Sequence, residues 1–189
     1  MERIHDDEPF ELEWLDDCHE CRHLRLEGPD AREYTVVPAD GGGWTPWSAA
    51  LLRLLRRMAG QPTQALIVTQ EALTHRYVQA LIGHGIAHVE ASSNVYLHGD
   101  SRLTPDHEEL LALLGWQSPT SDHDDPNARP ANWSLPLVHG DWTTTAEVVL
   151  ATLIGVFGVS QYLPITVRTF LADTPCKACS WPDDAITHP

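Results

Sequence analysis

The chain has 189 residues and a mass of 21.0 kDa, with 42% hydrophobic and 21% charged residues, the balance of a soluble globular protein that can bury a core without disulfides or metal. Its 12 Lys and Arg stand against 27 Asp and Glu, a net charge of -15 and a pI near 4.9, which excludes a general affinity for nucleic acid or anionic membrane. No apolar run is long enough to span a bilayer, and the start is acidic where a signal peptide would be basic and then apolar, so a cytoplasmic protein is expected.

The acidity concentrates at one end. Glu2, Asp6, Asp7, Glu8, Glu11, Glu13, Asp16, Asp17 and Glu20 face Arg3 alone over residues 1–20. A solvated arm is the plain reading, and an arm that docks on a basic partner is the alternative. The organisation expected is an acidic arm over 1–32 carrying a Cys-x-x-Cys pair, an α+β domain over 33–172, and a tail over 173–189 with a second pair.

Glu33 to Pro38 reads as a short strand and residues 39–43 as a flexible loop. The three glycines are not a phosphate cradle, since no Gly-Lys-Ser/Thr follows. Residues 47–59 form the clearest helix: Trp47, Ala50, Leu51, Leu54, Leu55 and Met58 recur at helical spacing, with Arg53, Arg56 and Arg57 on the other side. Thr45-Pro46 starts it and Gly60 and Pro62 stop it. The basic side is read as a solvated face, and also as the one local patch that the acidic arm could fold against.

Three strands are expected at 65–69, 76–82 and 86–97. Gly83-His84-Gly85 joins the last two as an antiparallel hairpin, and the third alternates apolar Ala87, Val89, Ala91, Ser93, Val95 and Leu97 with polar residues. Thr104-Pro105-Asp106 opens a second helix with Leu110, Leu111, Leu113 and Leu114 on its apolar face. Residues 117–132 read as a long loop whose Asp122, Asp124 and Asp125 lack the pattern of a calcium hand. A third helix spans roughly 144–157 and a last strand 164–170. Helices set against an antiparallel sheet make the fold class α+β.

Chemistry is sparse. There is no nucleophile elbow, dinucleotide fingerprint or His-Glu-x-x-His, and His84 and His88 read as polar-face hairpin residues. No catalytic residue and no organic cofactor is assigned. The four cysteines are the exception: Cys18 and Cys21, and Cys176 and Cys179, form two Cys-x-x-Cys pairs. Together they supply the four soft ligands of a closed, structural zinc site clasping the termini, with His19 and His23 as substitutes. The pairs are about 155 residues apart, and compact domains often bring their termini together. Unliganded thiols, separate redox pairs and a partner-shared metal are the other readings.

From Arg76 onward the sequence resembles the TY-Chap domains, actinobacterial relatives of type III secretion chaperones and YbjN-type proteins. The likeness rests on Arg76-Tyr77-Val78-Gln79, Glu90 with Ser93-Asn94 and Tyr96-Leu97, Leu103-Thr104, Leu114-Gly115-Trp116 with Pro119, Asn132-Trp133, and Thr152-Leu153 with Val156-Phe157-Gly158-Val159, over 76–170. It implies a helix-flanked antiparallel sheet that binds peptides or partner proteins rather than catalysing a reaction. The acidic arm and the cysteine pairs are departures from that pattern.

An open sheet edge could accept an extended peptide while apolar residues between helix and sheet grip its side chains. Tyr96, Trp116, Trp133 and Trp142 are the aromatic candidates for that grip, with core filling as the alternative for each. The expected function is therefore a non-enzymatic, chaperone-like module that binds a client peptide or protein, with a homodimer as one expected form and no nucleic acid or membrane partner. The alternatives are a thiol-disulfide oxidoreductase using a Cys-x-x-Cys pair and a regulatory adaptor gated by its acidic arm.

Overall fold

The computed structural model describes residues 3–4, 31–73, 75–119 and 132–171. The α+β class takes the form of one eight-stranded sheet whose pairings are all antiparallel. In chain order the elements are β1 (Arg3–Ile4), β2 (Arg32–Val36), α1 (Trp44–Ala59), β3 (Gln64–Gln70), β4 (Tyr77–Gly83) and β5 (Ile86–Ala91). Then follow α2 (Pro105–Leu113), β6 (Trp133–Ser134), β7 (Val138–His139), α3 (Trp142–Ala151) and β8 (Ile165–Leu171). Across the sheet the order is β1-β2-β8-β3-β4-β5-β6, with β7 also on β5. The last strand is thus inserted between β2 and β3, and α1 carries the chain over it.

The helices cover one face. Leu66 and Val68 of β3, Val78, Ala80 and Ile82 of β4, and Ala87 and Val89 of β5 share a buried cluster with Leu51, Leu55, Met58, Leu111, Val149, Leu153 and Phe157. On the opposite face Ala65, Ile67 and Phe170 form a second, smaller cluster. Strand β3 is therefore apolar on both sides, as its ALIVT run requires, and the opposite face is polar to either side of it, at the Glu33–Arg168 ion pair on β2 and β8 and at β5, where His88 and Glu90 alternate with buried Ala87, Val89 and Ala91.

The hairpin forms as the glycines suggest. Gly83 pairs with Ile86, and the intervening His84 and Gly85 both take positive φ, 52° and 78°, the requirement of a tight two-residue turn that matches strand twist. Thr104 caps α2 reciprocally: its Oγ1 accepts from the His107 backbone at 3.3 Å, and its own N–H donates to His107 Nδ1 at 3.3 Å.

Three expectations change. Helix α1 begins at Trp44 rather than Trp47, because Gly42 and Gly43 turn the chain with φ of 95° and 88° and Pro46 then sits in the first turn, where no amide donor is needed. The third strand ends at Ala91 rather than Leu97. There the Ser93 carbonyl accepts from the N–H groups of Tyr96 and Leu97, and Ser93 Oγ accepts from Val95 N–H, so local turn bonds replace the ladder. Leu113 is 77% exposed and not on the apolar face of α2. Strands β1, β6 and β7, two residues each, had no expectation at all.

Candidate functional site

Helix α1 turns Leu51, Leu55 and Met58 into the core, and the next residues round its circumference, Ala50, Leu54 and Arg57, lie one helical turn apart along the flank facing β2 and β8. The helical layer stops short of the sheet edge. Between this flank and the strip of half-buried Tyr34 and Val36 with buried Val167 runs an open groove of about 580 Å³. Leu54, Tyr34 and Val36 are each half-buried, so the groove presents apolar surface that the fold itself leaves uncovered.

One end of the groove is closed by Pro38, Gly41, Gly43 and Pro46. This end is tied down by hydrogen bonds. Ala39 N–H donates to the Gln161 carbonyl at 2.9 Å, and a Cβ at Gly43 would stand 3.2 Å from Gln161 Oε1. Gln70, fully buried, fixes the 160–163 loop: its amide donates to the carbonyls of Ser160 at 2.8 Å and Leu163 at 3.3 Å, while its Oε1 accepts from Ser160 N–H at 3.0 Å. A buried amide with every strong bond satisfied is a rigid anchor.

The charge at the groove is opposite to that of the chain. Arg53 and Arg57 line it, exposed, and have no carboxylate partner among the described residues, while Arg56 donates to Thr143 Oγ1 at 3.3 Å. Helix α1 contains no acid. Beside the groove, the outer side of β2 pairs with β1 through Arg3↔Thr35 and Ile4↔Tyr34. Tyr34 therefore belongs both to that pairing and to the groove wall.

A helix–sheet groove of this kind, beside a sheet edge, agrees with one comparison. The family model TY-Chap3, described as T3SS (YopN, CesT) and YbjN peptide-binding chaperone 3, matches residues 38–170. The chain belongs to this family. The TY-Chap3 match starts at Pro38 and takes in all of α1, whereas the resemblance read from the sequence began at Arg76. No curated protein and no solved structure matches the chain.

Within the TY-Chap3 span the four aromatic candidates are scattered. Trp116 is 3% exposed and donates its Nε1–H to Thr152 Oγ1 at 2.9 Å, and that hydroxyl donates to the Val148 carbonyl at 2.8 Å. Trp133 is 6% exposed in the main cluster, Trp142 is half-buried against it, and Tyr96 is 41% exposed in the turn after β5. None of the four lines the groove, and Trp116 and Trp133 fill the core. The groove is instead made by Tyr34, Val36, Leu54, Val167 and the two arginines, which the sequence placed on a short strand, a helix and a last strand without bringing them together.

The residues that carried the resemblance tie loops to the TY-Chap3 scaffold. Arg76 donates to the carbonyls of Ser101, Phe157 and Arg102 at 3.0, 3.2 and 3.2 Å. Asn94 donates to the Leu103 carbonyl and Glu108 Oε1, both at 2.9 Å, and accepts from Leu103 N–H at 2.7 Å. Glu90 accepts from Gln79 at 2.6 Å and Asn132 at 3.1 Å, and pairs with His88 at 2.9 Å. Burial pushes the Glu90 carboxyl up, but the bonds from His88, Asn132 and Gln79 together outweigh it and hold the group below its usual range. The bond to Glu90 raises His88 above its ordinary value against the opposing effect of burial.

Cys18, Cys21, Cys176 and Cys179, with His19 and His23, lie outside the described residues, as do Asp122, Asp124 and Asp125. Among the described residues no group of three or more His, Cys, Asp or Glu side chains is placed to hold a metal, and no helix is long and apolar enough to cross a membrane.

Proposed function

We propose that the chain is a non-enzymatic peptide-binding chaperone module whose client, an extended polypeptide segment, lies in the groove between α1 and strands β2 and β8. The observation that carries this reading is the apolar surface of half-buried Tyr34, Val36 and Leu54 above buried Val167, left partly uncovered between helix and sheet. An extended chain there gains side-chain contacts from the groove walls, while the outer side of β2 is already paired with β1 at Tyr34 and Thr35. Apart from a phenol, an indole and two guanidiniums the side chains of the lining are apolar, which suits holding a chain rather than transforming it. Selection from a combinatorial library of short peptides tests the proposal. Peptides should be enriched on the full chain and lost on a Leu54→Asn variant, whereas no enrichment, or enrichment indifferent to that substitution, would overturn it.

The proposal keeps a structural zinc ion on Cys18, Cys21, Cys176 and Cys179, supported by the two Cys-x-x-Cys spacings and by the rarity of structural disulfides in a reducing compartment. A closed four-thiolate site leaves no thiol free for disulfide exchange, so metal content and free-thiol titration on one sample separate this reading from an oxidoreductase.

A further inference from the structure

We propose that the groove is occupied in cis by the chain's own residues 9–15, a built-in stand-in for the client; this rests on the reading of the groove as a peptide site. Three observations converge on that segment. The first is where its ends lie. Strand β1 places Ile4 opposite Tyr34, a groove residue, and β2 begins at Arg32, so residues 5–30 leave from and return to the same sheet edge. Residues 5–8 can span at most roughly 13 Å and residues 16–30 roughly 50 Å, enough to reach the groove and come back. The Pro46–Arg57 flank of α1 is about 16 Å long, and seven extended residues cover about 23 Å.

The second is pattern. In Pro9-Phe10-Glu11-Leu12-Glu13-Trp14-Leu15 the apolar residues Phe10, Leu12 and Trp14 alternate with Glu11 and Glu13. Extended, such a segment has three apolar side chains on one face and two carboxylates on the other. The groove offers the complement: apolar walls at Tyr34, Val36, Leu54 and Val167, and two arginines on long stems that reach over whatever lies between helix and sheet.

The third is charge. Arg53 and Arg57 have no acidic partner among the described residues, in a chain whose net charge is -15. Asp6, Asp7 and Glu8 precede the segment and Asp16 and Asp17 follow it, so the most acidic stretch of the sequence is tethered beside this basic flank. Tethering raises the local concentration of the segment to the order of millimolar, so even weak contacts keep a competing peptide out. A client then binds by displacing the segment, and its preferred sequence shares the alternation of apolar residues with carboxylates.

The test uses the full chain and, as probe, a fluorescein-labelled synthetic peptide of residues 8–16 in low salt. Replacing Phe10, Leu12 and Trp14 together by Ser should tighten probe binding at least about tenfold relative to wild type. Glu11→Lys with Glu13→Lys, which keeps the apolar residues, should also tighten it, and adding Arg53→Glu with Arg57→Glu to the triple-Ser chain should reverse the gain. Equal probe affinity in wild-type and released chains overturns the inference, yet leaves the peptide-groove reading standing because the probe still binds. Failure of the probe on every chain, while library peptides bind, overturns it as the wrong chemistry. Failure of probe and library together refutes the peptide reading itself.

Discussion

Replacing Leu54 by Asn probes the groove with little disturbance elsewhere. Leu54 is half-buried in the free chain, so a bound peptide can cover about half a leucine, worth about 1 kcal/mol of the ~1.5–3 kcal/mol for full burial. An amide in its place, pressed against apolar peptide side chains, costs a further ~1–3 kcal/mol. The sum of about 2–4 kcal/mol corresponds to a loss of affinity of roughly 30- to 1,000-fold. The fold pays less. Half of a typical Leu-to-Ala loss, with the weaker helix propensity of Asn, comes to about 2 kcal/mol, or a melting point lower by about 4–8 °C. Fluorescence polarisation with any library-selected peptide measures the first quantity and thermal unfolding the second. Leu113→Asn, at an exposed leucine outside the groove lining, should change neither by much. A folded Leu54→Asn chain that binds peptide as tightly as wild type would refute the reasoning.

Gly83→Ala should destabilise the chain by about 1–3 kcal/mol in a urea titration, because the new Cβ would stand 2.7 Å from Thr63 Cα and 2.8 Å from Thr63 N and backbone must move; an unchanged midpoint would contradict that close approach. His88, raised in the folded chain, contributes stability that is complete below its unfolded value of 6.5 and is lost as pH rises through its folded value. Glu90, lowered, contributes stability that is complete above its unfolded value of 4.5 and is lost as pH falls through its folded value. Their joint contribution is therefore fullest between about pH 4.5 and 6.5, and in Glu90→Gln an NMR titration of His88 should show its pKa fall, since burial then acts on it without the opposing carboxylate. Purified chain should carry one zinc per molecule with no titratable thiol, and Cys18→Ser with Cys176→Ser should abolish metal binding; stoichiometric free thiols without metal would exclude the clasp.

The sheet and its helices were legible wherever period and punctuation agreed. The 3.6-residue recurrence from Trp47 to Met58 and the Gly-flanked His84 are local signals, and both elements stand within a few residues of expectation. Capture of the Asn94 side chain by Leu103 and the turn at Ser93 cut the third strand short, and neither can be read from alternation, which continues through Leu97. The groove was less legible because it is a product of strand order. Tyr34, Val36 and Val167 become neighbours only when β8 inserts beside β2, a pairing of residues far apart in sequence. Aromatic content pointed instead to Trp116 and Trp133, whose bulk is used inside the core.

The central claim is that a peptide sits between α1 and strands β2 and β8. Amide chemical-shift mapping of the isotope-labelled full chain with a selected peptide tests it most directly. The account predicts the largest changes at Tyr34, Val36, Leu54, Arg57 and Val167, with Trp116, Trp133 and the β5 hairpin unmoved. Changes centred on the β4–β5 hairpin or on the helix α2 surface, with the groove amides silent, would contradict it.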